Sequence, residues 1–360
     1  MKKYILFAGL GILVAGCPWI IDYYEYDTGK FPSTPVNIED INSIYDDYNA
    51  TAPNILHQQL FHFSSNRNSA GGDFDIVGED FVVDWDKVNG TLEVGNPHDI
   101  LKVPPEWFDE RFAYLEPMFD SINTPSDEFG PYSLGYRQEN ANYEVTWTDL
   151  LLYASDESGQ FDINFIYGQL FNGYDTTTNL IVSPEPVRFL NSEANDLYPS
   201  FYGEAFYYYD EWGQDPADVE KIFFCSDREG NYDIYEVELP RDSSLFQILR
   251  SEGPYPTLPW EFNSDADDKC PFANGKLLVF TSDREGGYGG FDLYYSVHRD
   301  DGWSEPRNFG EKINTSYDEY RPITINYHDF ENTLMIFSSD RPGGKGGFDL
   351  YYVGINQGVE

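Results

Sequence analysis

The same two-part pattern recurs five times along this 360-residue chain, and few folds accommodate such a repeat. Its clearest copies are 221–235 (KIFFCSDREGNYDIY), 276–294 (KLLVFTSDREGGYGGFDLY) and 333–351 (TLMIFSSDRPGGKGGFDLY). Two divergent copies precede them, 60–77 (LFHFSSNRNSAGGDFDIV) and 150–163 (LLLYASDESGQFDI). Each runs from an apolar stretch through Ser-Asp-Arg or a variant and a turn to aromatic-Asp-Ile/Leu. A second motif, apolar-Asn-Ser/Thr followed by acids and proline, accompanies each copy at 41–53, 122–131, 190–199, 262–271 and 313–322.

Leu277–Phe280 and Phe291–Tyr295 have the composition and length of strands. The glycines between them (Gly286, Gly287, Gly289 and Gly290) suit a tight hairpin. Asp283 and Asp292 flank this turn, where short carboxylates accept backbone N–H groups or meet Arg284. The equivalent hairpin residues are Asp75, Asp162, Asp227, Arg228, Asp233, Asp340, Arg341 and Asp349, all read as structural. The Asn-acid-Pro motif reads as the loop leading into the next strand. One such sheet cannot bury both faces, so the units are expected to stack radially into an all-β propeller of five blades.

Too little chain follows the last hairpin to supply an outer strand. Residues 29–43 (GKFPSTPVNIEDINS) match 302–315 (GWSEPRNFGEKINT), so the N-terminal stretch is expected to complete the last blade. The propeller is therefore placed at 29–353, with repeats at about 41–121, 122–189, 190–261, 262–312 and 313–353, and a tail at 354–360. A sixth, degenerate blade has room only in the insertions at 82–120 or 200–220.

The first seventeen residues, MKKYILFAGLGILVAGC, read as an address. Two lysines precede an apolar run from Tyr4 to Gly16, which as a helix spans roughly 20 Å against a hydrocarbon core of roughly 30 Å. That favours a signal peptide over a membrane span, and Val14-Ala15-Gly16-Cys17 resembles a lipobox with Cys17 lipidated. Residues 1–16 are then the leader and 17–28 a linker; Pro18 after the cysteine points to the outer membrane. Cys225 and Cys270 are too few for a disulfide framework, and Cys225 lies in an apolar strand where an inert thiol is expected.

An aromatic content of 18% supplies a large core, while the net charge of −41 excludes nucleic-acid partners. No cofactor is called for; the acidic loop of Asp265, Asp267 and Asp268 leaves calcium open, with carboxylates capping backbone amides as the favoured reading. His57, His62, His98, His298 and His328 form no zinc motif, and no nucleophile elbow appears. Two aromatic insertions, around Trp107 and Phe108 and around Tyr207, Tyr208 and Trp212, are the candidate binding surfaces.

The repeats resemble the TolB-type, WD40-like propeller repeats of Bacteroidetes envelope lipoproteins, over nearly the whole mature chain. The resemblance departs at Asn66 and Val77 in copy one and at Glu157, where copy two lacks the arginine. It implies a non-enzymatic, lipid-anchored scaffold at the outer membrane that binds another envelope protein. The alternative expectation is a surface lipoprotein that binds or processes carbohydrate, for which carboxylates and aromatic rings converging on the central channel would speak.

Overall fold

The computed structural model describes residues 28–52, 58–96, 115–139, 144–171, 179–206 and 214–356. Cys17 and the leader lie outside these, as do Trp107, Phe108, Tyr207, Tyr208 and Trp212. Strand β1 (Val36–Asn37) comes first, followed by a blade of β2 (Asp47–Thr51), β3 (Gln58–Ser65), β4 (Asp75–Asp86) and β5 (Thr91–Gly95). After helix α1 (Glu116–Ile122), the second blade holds β6 (Glu128–Glu139), β7 (Val145–Ser155) and β8 (Asp162–Phe171). Short strands β9 (Asn179–Ile181) and β10 (Glu185–Pro186) share its outer edge. The third blade is β11 (Asp196–Tyr202), β12 (Lys221–Ser226), β13 (Asp233–Glu238) and β14 (Thr257–Pro259), with helix α2 (Leu245–Leu249) before its last strand. The fourth is β15 (Asp268–Asn274), β16 (Leu277–Ser282) and β17 (Asp292–Arg299), edged by β18 (Gly302–Trp303) and β19 (Arg307–Asn308). The fifth is β20 (Glu319–Ile325), β21 (Asn332–Ser339) and β22 (Asp349–Asn356), and its outer strand is β1. The fold is a five-bladed propeller, and within the 82–120 stretch, where a sixth blade had room, residues 82–86 and 91–95 belong to β4 and β5 of the first blade.

Each blade is covered on both faces by its neighbours. Its second strand is accordingly a continuous apolar run rather than an alternating one: Ile222–Ser226 and Leu278–Ser282 are buried throughout. The motif residues then join blade to blade. Asn42, Asn123, Asn191, Asn263 and Asn314 each donate Nδ2 to, and accept at Oδ1 from, one backbone unit of the preceding blade, at 2.8–3.0 Å. Those units are Leu350, Ile76, Ile163, Ile234 and Leu293, each one residue after the hairpin aspartate. Two hydrogen bonds from one amide fix both spacing and rotation, which explains why asparagine recurs.

The arginines have a different partner from the flanking aspartates expected above. Arg67, Arg228, Arg284 and Arg341 reach the fully buried first acid of their own inner strand, Asp47, Asp196, Asp268 and Glu319, at 2.5–2.9 Å. Each also donates to a loop carbonyl (Ile41, Leu190, Phe262 or Ile313) and lies over a phenylalanine ring. Asp292 and Asp349 instead cap the hairpin turns, accepting from Tyr288 and Lys345 N–H respectively. The motif prolines also sit elsewhere than in a loop: Pro131, Pro199, Pro271 and Pro322 lie inside the inner strands, just after a bulge that tolerates a missing donor.

Closure follows the 29–43 alignment. Val36 pairs with Tyr352 and Asn37 with Tyr351, antiparallel. Ahead of β1, Phe31 is buried and stacks on Phe330 with centroids 4.0 Å apart. Asn332 accepts from Phe31 N–H and donates to its carbonyl, and Gly354 N–H donates to Pro32. β22 runs to Asn356, past the expected end of the propeller at 353.

Candidate functional site: an aromatic well on the propeller axis

All five inner strands carry a bulge at the same level, and there one residue adopts a left-handed backbone: Asn49 (φ 60°), Gly130 (59°), Tyr198 (55°), Cys270 (54°) and Arg321 (48°). Four of these are not glycine, an unusual concentration of strained backbone. Gly130 leaves space that another side chain uses: a Cβ there would collide with the Tyr198 ring.

The residues just before this level, Tyr48, Phe129, Leu197, Lys269 and Tyr320, line a cavity of about 300 Å³, one from each blade. The hairpins add Phe161, Tyr232, Phe291 and Phe348, the aromatic residues that precede the hairpin aspartates. Tyr198 closes the bottom and Asp318 contributes a carboxylate. The rings brace one another: Tyr48 meets Phe129 at 5.5 Å and Phe348 at 5.6 Å, and Phe291 meets Tyr320 edge-on at 5.3 Å. Burial pushes the Tyr48, Tyr198 and Tyr320 hydroxyls well above the usual range, so they remain donors at neutral pH.

A second latch holds the wall. Asp46, Asp127, Asn195, Asp267 and Asp318 accept from the backbone N–H of Phe348, Phe74, Phe161, Tyr232 and Phe291 of the preceding blade, at 2.8–3.0 Å. Their own N–H groups donate to Asn66, Asp156, Asp227, Asp283 and Asp340. The Ser-Asp-Arg aspartate is thus a latch residue at the rim of the well. Under the floor lies Arg321, fully buried, with its guanidinium 5.5 Å from the Tyr198 ring. It donates to the carbonyl of Pro131 at 3.0 Å and pairs with no acid among the described residues; burial lowers its pKa.

The other candidate chemistry disperses. Asp267 pairs with Lys269 at 2.9 Å and Asp268 with Arg284, and among the described residues no group of three or more His, Cys, Asp or Glu is placed to share a metal ion. Cys225 and Cys270 are free and buried, with the Cys270 thiol pushed up to about 12 by burial. His62 is buried against Ser133 Oγ at 2.7 Å, and burial lowers its pKa to about 3.

Of the aromatics singled out in sequence, Trp107, Phe108, Tyr207, Tyr208 and Trp212 lie outside the described residues, and Cys17 does too. The well was missed because it is built by the repeat itself. The available signal was the aromatic residue ahead of every hairpin aspartate: Phe74, Phe161, Tyr232, Phe291 and Phe348.

No protein-family model and no curated protein matches the chain. Among solved structures, a GH62 hydrolase in complex with xylotriose shares 11% identity at a TM-score of 0.49, covering 92% of this chain and 99% of its own. An α-L-arabinofuranosidase from Podospora anserina in complex with cellotriose shares 12% at 0.45, covering 92% and 98%. The catalytic domain of a Coprinopsis cinerea GH62 α-L-arabinofuranosidase shares 10% at 0.47, covering 91% and 97%. At such identities the likeness speaks to the fold. The reading as a TolB-type family member, and with it the expected protein-interaction scaffold and the expected absence of enzymatic activity, is corrected: no family model supports that assignment, and the three solved structures named here are described as a hydrolase and two arabinofuranosidases. The physical reason is that the repeat's Asn, Asp and Arg hold blades together, a task any such ring must perform, so they do not specify what it binds.

Proposed function

We propose that the protein is a carbohydrate-active propeller that captures a glycan in the axial well. The observation that carries this reading is the lining itself: half-buried rings from several blades and one carboxylate around a cavity of small-molecule size. Aromatic faces cover the C–H faces of a sugar ring, while Asp318 meets its hydroxyls. The insertions beyond the described residues are not needed for this.

The lipid anchor on Cys17 and the outer-membrane location are part of the same proposal. The partner in this reading is a glycan rather than an envelope protein.

The test is calorimetric titration of the whole protein with a panel of oligosaccharides, with product analysis of the same mixtures. Binding of at least one oligosaccharide is expected, and Phe348→Ala should weaken it by about three- to tenfold, the effect of removing one stacked ring. A panel that gives no heat and no product, or an affinity indifferent to Phe348→Ala, overturns the reading.

A further inference from the structure

We propose that the well selects sugar residues carrying a free, protonated amine; this rests on the carbohydrate reading and names the class of glycan. Aromatic faces present negative potential, and a cavity walled by rings attracts an organic cation. The protein already demonstrates the fit at one point on the wall. The Lys269 ammonium lies 4.1 Å from the Tyr232 ring centroid and 5.0 Å from that of Phe291, with Asp267 at 2.9 Å.

Across the well, where Tyr48, Phe129 and Phe348 converge, no lysine or arginine occupies the corresponding place among the described residues. Asp46 and Asp127, which hold the backbone of Phe348 and Phe74 on that side, form no ion pair among the described residues, and neither does Asp318 beside Phe291. Burial raises the pKa of Asp127, and the like charges of Asp156 and Asp73 add to it. A chain with a net charge of −41 adds a long-range field of the same sign. Lys269 is neutralised by its own aspartate and opposes a second ammonium only weakly. Metal cations are a poorer match, because they need converging oxygen ligands rather than ring faces.

The rim aspartates can be neutralised without breaking the latch, since Asn195 performs the same acceptor role in the third blade. The experiment compares three probes at pH 5.5 with the whole protein: a glucosamine trimer with free amines, its fully N-acetylated form, and a neutral glucose trimer. The free-amine trimer is expected to bind about tenfold tighter than either of the others. The triple variant Asp46→Asn, Asp127→Asn, Asp318→Asn should bring that ratio close to one, with its thermal unfolding measured alongside to show that it is folded. Equal affinity for all three trimers in the unmodified protein overturns amine selection and leaves the carbohydrate reading standing. A tenfold preference that survives in the folded triple variant also overturns it, by removing the rim as the cause. Binding of none of the three while other glycans bind overturns amine selection alone; failure of every glycan in the wider panel overturns both.

Discussion

Glu157→Arg is expected to stabilise the protein, and to do so more at pH 8 than at pH 5. Four blades neutralise the buried first acid of the inner strand with the arginine of their Ser-Asp-Arg hairpin. The second blade has Glu128 as that acid and Glu157 where the arginine would stand. Glu128 is left with Thr124 N–H and Oγ and with Ser155 Oγ, and burial pushes its pKa up to about 7. A carboxyl whose folded pKa lies above its ordinary value of 4.5 favours folding fully below that value, and the benefit is lost as pH rises through about 7. Near pH 8 the ionised, unpaired carboxylate costs roughly 3 kcal/mol, because each tenfold change in an acid constant is worth about 1.36 kcal/mol. An arginine at 157 stands to Glu128 as Arg341 does to Glu319, with Ile122 O and the Tyr153 ring in the places of Ile313 O and Phe337. Urea unfolding at the two pH values checks this. A gain of about 1–3 kcal/mol at pH 8, shrinking towards pH 5, is expected; a gain independent of pH would mean that Glu128 is not the group relieved.

Phe31→Ala is expected to cost about 3–5 kcal/mol across the whole propeller rather than loosen an N-terminal tail. The side chain is 1% exposed, stacked on Phe330, and its backbone is held from both sides by Asn332. The segment also brings Ile38 and Ile41 into the main core, and Asn42 into the latch with Leu350. Amide exchange gives the sharper readout. Leu350 N–H, bonded to Asn42, and Gly354 N–H, bonded to Pro32, should lose protection together with Ile234 N–H two blades away if the ring unfolds as one unit. Loss confined to residues 28–43 would mean that the N-terminal strand is an accessory.

The ring, its number of blades and its closure were legible because repetition exposes them. The match of 29–43 to 302–315 places Asn37 where Asn308 stands, and the two make the same bond, to Asp349 and Asp292. What the repeats do to each other was less legible. Arg284 reaches Asp268, sixteen residues back, and not Asp283 or Asp292 on its own turn, because the inner strand returns beside the hairpin only once the blade has formed. The well was hardest to see. Its first layer varies from Tyr48 to Phe129, Leu197, Lys269 and Tyr320, so no common residue type marks it. Those side chains reach the axis because a bulge follows, and the bulge residue is tyrosine, cysteine or arginine in three blades, where no glycine announces a left-handed backbone. Loops usually carry specificity, which favours the aromatic insertions, whereas here the repeat's own aromatics converge on one point.

Saturation-transfer NMR tests the central claim most directly. Irradiating aromatic ring protons in the presence of a bound oligosaccharide should attenuate the C–H signals of one sugar face, and Phe129→Ala with Phe348→Ala should abolish that transfer while the fold persists. Transfer that is absent from the unmodified protein, or unchanged in the double variant, would place the glycan elsewhere and contradict the account.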